Sequence, residues 1–100
     1  MAETKSVNNI VIRLTDERWQ HILNAHNELA NEKDFILNAI SDPDYILKGN
    51  VEEMLAAVYK KDNKMLVVVY KEEEKDGFII TAYYTSKIEK LLKKQILWHK

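Results

Sequence analysis

Six consecutive apolar residues, Met65-Leu66-Val67-Val68-Val69-Tyr70, constrain this chain of 100 residues more than any other segment. Successive side chains of a strand point to opposite faces, so an unbroken apolar run gives it hydrocarbon on both sides. Three adjacent valines, stiff at χ1, favour extended backbone over helix. The run predicts a central strand covered on both faces, and therefore a sheet around it.

The flanking sequence supplies partners. Tyr45-Ile46-Leu47, Met54 to Tyr59 and Phe78 to Thr85 read as strands. Polar turns lie at Gly49-Asn50, at Lys61-Asp62-Asn63-Lys64 and from Glu72 to Gly77, the last read as a solvated acidic turn. Short connections of this kind predict a four-stranded antiparallel meander. Upstream, residues 1–6 read as a frayed polar start and Val7 to Leu14 as a strand. Thr15 is placed to cap a helix running to about Asn27, with Asp16 and Glu17 favoured by its dipole. Asn31 can cap a second helix carrying Phe35, Ile36, Ala39 and Ile40, stopped at Asp42-Pro43 because the residue before proline is steered out of helical geometry. Ser86-Lys87-Ile88-Glu89 has the form of a capping box and predicts a closing helix, with Ile96-Leu97-Trp98 docked behind it. The expectation is a single α+β domain over residues 1–100: two N-terminal helices preceded by a strand, a four-stranded antiparallel meander and a C-terminal helix.

Composition narrows the function. Fifteen Lys and Arg stand against 16 Asp and Glu, so contact with nucleic acid would need a local patch, not an overall basic excess. With no Cys, disulfides, thiol nucleophiles and thiolate zinc sites are excluded. No apolar run approaches the roughly 18 residues of a membrane span, and Met1 to Ser6 lack the apolar stretch of a secretory signal. The expectation is a cytoplasmic protein without a membrane partner. Gly-rich phosphate loops, serine-hydrolase elbows and paired-carboxylate motifs are missing, which removes nucleotide-dependent transfer and serine hydrolysis.

What remains for proton chemistry is imidazole and hydroxyl. His26 falls on the apolar stripe of its helix with Trp19, Ile22, Leu23 and Ala30, either as a packed imidazole or facing the sheet at the edge of a cleft. His21 falls nearly opposite, with Arg18 one turn before it, as a surface residue or as half of an anion site. The i,i+5 spacing sets the two imidazoles roughly 140° apart around the axis, so no shared metal is expected. Alternation puts Thr81, Tyr83 and Thr85 on one face of their strand, with Phe78, Ile80, Ala82 and Tyr84 on the other. The hydroxyl row could hold phosphate oxygens or simply face solvent. Lys87, Lys90, Lys93 and Lys94 could meet a phosphate backbone or form a solvated helix face.

Arg18-Trp19-x-His21-Ile22 with His26, then Asp42-Pro43-Asp44, the apolar strand Leu66 to Tyr70, and Ile80-Thr81-Ala82-Tyr83-x-Thr85 occur in an order that resembles the phage-associated BECR nucleases. The name joins barnase, EndoU, colicin and RelE, with a shared fold of two helices followed by a four-stranded antiparallel sheet. Where such nucleases read His-Pro-Glu, this chain reads His26-Asn27-Glu28. The resemblance implies a small metal-independent ribonuclease of toxin type, working without a cofactor by 2′-hydroxyl attack. It implies His26 or His21 as acid–base group, Arg18 as phosphate clamp, and Thr81, Tyr83 and Thr85 as phosphate-positioning residues. RNA, a cognate antitoxin or inhibitor protein and a second copy of the chain are the partners it raises. The alternative is a non-catalytic protein- or RNA-binding module on the same scaffold.

Overall fold

In the computed structural model, which describes residues 1–100, seven strands form one sheet. They are β1 (Ala2–Lys5), β2 (Val11–Leu14), β3 (Tyr45–Lys48), β4 (Met54–Lys60), β5 (Lys64–Glu72), β6 (Asp76–Thr85) and β7 (Ile96–His99). Their spatial order is β1-β2-β6-β5-β4-β3-β7, which makes the valine-rich β5 the middle strand. Helices α1 (Asp16–Ala25) and α2 (Lys33–Ser41) follow β2, joined by a 3-10 turn at Asn27–Leu29, and α3 (Ile88–Leu91) follows β6. No helix is long and apolar enough to cross a membrane.

The two faces of β5 are buried by different layers. Leu66, Val68 and Tyr70 meet Ile22, Leu29, Ile36, Ala39 and Ile40 from the helical layer of α1, α2 and their connecting turn. Met65, Val67 and Val69 belong to a second cluster with Leu47, Leu55, Ala57 and Leu91, flanked by Ile88 and Leu92. Each fully buried side chain of this size contributes about 1.5–3 kcal/mol, which is why the run cannot sit at an edge.

This architecture corrects the expected one. The sheet is mixed and seven-stranded, not a four-stranded antiparallel meander behind two helices, and all three helices are short. Two additions account for the difference. At one side β2 pairs in parallel with β6, Val11 opposite Asp76 and Arg13 opposite Phe78, and carries β1 on its outer edge. Residues 2–5 are thus a strand, not a frayed start. The loop between β1 and β2 turns at Asn9, φ 64°, a conformation that Asn tolerates well. Ser6 is buried there and donates its hydroxyl to Glu72, which also accepts from Asn8 Nδ2 at 2.8 Å. Glu72 therefore ends β5 and pins the hairpin, and does not open a solvated turn.

At the other side β7 pairs antiparallel with β3, and Trp98 packs on the first cluster. Lys48 N–H donates to the Gln95 carbonyl at 2.9 Å, so the chain must leave helical geometry before that point. The expected closing helix is consequently a single turn. Its capping box does not form: Lys87 is the N-cap, without a side-chain cap, and Thr85 Oγ1 accepts Lys87 N–H at 3.1 Å. Nor does Asn31 cap α2, whose N-cap is Glu32.

Candidate active site at the free edge of β6

Thr15 starts α1 as its side chain accepts Arg18 N–H at 3.1 Å. The helix ends at Ala25, two residues short of the expected end, with His26 as its C-cap. His26 N–H donates to the Ile22 carbonyl at 2.7 Å, and its own carbonyl accepts Leu29 N–H at 3.0 Å. These bonds fix the His26 backbone at the junction of α1 and the 3-10 turn. Its side chain is 34% exposed, with Nδ1 3.6 Å from Glu28 Oε2. Glu28, the residue this chain shares with the His-Pro-Glu pattern, thus sets a carboxylate beside one imidazole nitrogen, and Nε2 has no protein partner.

β2 pairs with β6 only as far as Phe78. Beyond it that edge of β6 carries no strand, and α1 lies against the face of β6 through Ile22, Ile79 and Ala82. Strand partners share a sheet face, so Thr81, Tyr83 and Thr85 follow Val69, Val67 and Met65 onto the face away from α1 and α2. His26 nevertheless comes within 6.4 Å of Tyr83, ring centre to ring centre and tilted by 36°, at that unpaired edge. Burial raises the Tyr83 hydroxyl above the ordinary tyrosine range, so at neutral pH it is a hydrogen-bond donor.

The alternation expected for this strand holds only in part. Register shifts between Val69 and Tyr70: Val69 faces Thr81 but Tyr70 faces Ile79, leaving Ile80 as an extra residue. Ile80 therefore packs with Tyr83 in the second cluster and not with Ala82 and Tyr84.

Beside Tyr83 lies an open cavity of about 220 Å³ lined by Tyr83, Thr85, Lys87, Lys90, Leu91 and Lys94. Three lysines and two hydroxyl-bearing residues line it and no acidic residue does, a composition that favours an anion, while the Glu53 carboxylate is lowered by the Val51 N–H and also by the Lys94 charge. The structure thus sets Tyr83 and Thr85 in one concave surface lined by lysines, and brings His26 to Tyr83 without making it part of the lining. Thr81 lies on the same face but does not line the cavity. His21 points to solvent, 63% exposed, with Nε2 3.9 Å from Glu17 Oε1. Arg18 is exposed and stands about 12 Å along the helix axis from His26 at 1.5 Å per residue. Neither is brought to the cavity.

The lysines are what the sequence left undecided. Their helical spacing suits a solvated face equally well, and only the fold shows Lys87, Lys90 and Lys94 lining one cavity with Tyr83 and Thr85. A second cluster left no sequence signal at all. Glu32 Oε1 accepts from Lys60 Nζ at 2.9 Å and from the Tyr84 hydroxyl at 3.0 Å, while Nζ lies 4.5 Å from the Phe35 ring centre. The Lys60 partner holds Glu32 below the usual carboxylate range, and Tyr84 and Glu32 raise Lys60.

No protein-family model, curated protein or solved structure matches this chain.

Proposed function

We propose that this chain is a small cytoplasmic ribonuclease of toxin type, BECR-like in its chemistry, that cleaves RNA by 2′-hydroxyl attack without a metal. The observation that carries this reading is the approach of His26 to Tyr83, a residue that also lines a cavity with Thr85 and three lysines. In the reaction the ribose 2′-oxygen bonds to phosphorus and the bond to the 5′-oxygen breaks. His26 Nε2 takes the 2′-proton, and a water molecule from the open cavity gives the departing 5′-oxygen its proton, leaving a hydroxide that His26 neutralises as it returns the proton it took. The Tyr83 and Thr85 hydroxyls donate to the non-bridging oxygens, and the lysines offset the charge that develops on them.

The test is cleavage of a labelled RNA in the presence of a chelator. His26→Ala is expected to lower the rate by about 10²–10⁴-fold, the usual contribution of a positioned acid–base group. His21→Ala is expected to stay near wild type, because its side chain points away. Equal rates for wild type and His26→Ala would remove the catalytic assignment. RNA binding without cleavage in the wild type would favour a non-catalytic binding module on the same surface.

A further inference from the structure

The lysine-lined cavity is not isolated. On the other side of α3 lies a wider open groove of about 640 Å³, lined by Asn63, Ser86, Lys87, Ile88, Glu89, Lys90 and Lys93. Lys87 and Lys90 line both, so the single turn of α3 stands between the two concavities and contributes the same two lysines to each. Lys93 and Lys94 then fall one in each groove. Four lysines within eight residues meet a single acid, Glu89, in a chain whose net charge is only −1.

From this geometry we infer that α3 is a track for the backbone of single-stranded RNA, carrying phosphates from the Tyr83–Thr85 cavity over Lys87 and Lys90 to the groove of Ser86, Asn63 and Lys93. The inference deepens the ribonuclease reading and rests on it for the identity of the strand as RNA. Single strands fit where duplexes do not. A cavity of about 220 Å³ admits a phosphate and part of its sugar, but a rigid duplex cannot bend across a single helical turn into concavities on both sides. The half-buried Tyr83 ring at the start of the track offers a face on which an unpaired base can stack.

A labelled oligodeoxythymidylate of about ten nucleotides tests the track apart from cleavage, because it lacks the 2′-hydroxyl and cannot react. Fluorescence anisotropy at low salt should show binding by wild type. Lys87→Gln/Lys90→Gln should bind about tenfold more weakly, with the slope of log affinity against log salt reduced by about 1.4, or 0.7 per lost phosphate contact. Lys5→Gln/Lys75→Gln, the same charge change at exposed positions near the other end of β6, should retain wild-type affinity. Unchanged thermal melts would show that both variants fold. No wild-type binding, equal loss in both variants, or tighter binding of a duplex of the same length would each overturn the track. Intact oligonucleotide binding in a protein that never cleaves RNA would overturn the ribonuclease reading and leave the track standing.

Discussion

Tyr70 closes the apolar run with a hydroxyl that no protein group satisfies. Its side chain is fully buried, and burial pushes the hydroxyl far above the ordinary tyrosine range. Nothing in the order of residues signals this. A strand ending Val68-Val69-Tyr70 looks ordinary, and the isolation of the oxygen emerges only once the sheet is covered by α2. A buried polar group without a partner opposes folding by about 1–3 kcal/mol, whereas the phenyl ring beneath it is useful packing. Tyr70→Phe is therefore expected to leave the protein as stable as wild type or to raise stability by about 1 kcal/mol, read from chemical denaturation. A clear loss of stability would show that the hydroxyl has a structural role. The histidines make the complementary point. Helical phase alone separated them correctly by exposure, since it is a local property. How His26 meets Tyr83 was not legible, because it depends on where β2 stops pairing, more than sixty residues away in sequence from the strand it joins.

Elements announced by local chemistry were readable, and those decided by a distant partner were not. The Thr15 cap and the Asp42-Pro43 stop depend on a few adjacent atoms, and both stand where the sequence put them. The Ser86–Glu89 box was equally local, but the pairing of β7 with β3 requires the chain to turn out of the helix and prevails. The start of α2 shows the opposite arrangement, a helix with no side-chain cap held by a tertiary clasp of Glu32, Lys60 and Tyr84. Its pH dependence follows from the two shifts. Glu32 is depressed, so what it contributes is present above its ordinary unfolded value and is lost as pH falls through the lower folded one. Lys60 is raised, so its part is present below the ordinary lysine value and is lost as pH rises through the higher folded one. With side chains 27% and 35% exposed, solvent screening limits the pair to about 1 kcal/mol. Glu32→Gln should accordingly melt below wild type at pH 7, and the gap should close as the pH is lowered through the acid range. A gap that persists at acid pH would mean that the carboxylate charge is not what clasps α2.

For the molecule as a whole, the mixed sheet is closed by a small contact that also sets the position of the proposed site. Where β2 lies against β6, Arg13 pairs with Asp76 and Gly77 sits opposite Ile12. A Cβ on Gly77 would come 2.8 Å from Ile12 Cδ1 and would also press on the Lys71 carbonyl of β5, so the three strands meet there only because the side chain is missing. The parallel pairing left no periodic trace in the sequence; a glycine beside Asp76 was its one mark, and that reads equally well as a turn. β2 leads through Thr15 directly into α1, so its docking on β6 also orients the helix whose C-cap is His26. Gly77→Val is expected to cost about 1–3 kcal/mol by overpacking. Amide exchange should rise first in β1 and β2, while the core of β4 and β5 stays protected. If the ribonuclease reading holds, cleavage by this variant should fall at temperatures where it remains folded, because α1 no longer holds His26 against Tyr83. Retained cleavage in a folded Gly77→Val protein with an exchanging β2 would show that α1 keeps its place without the hairpin, through Ile22 and the Thr15 cap alone.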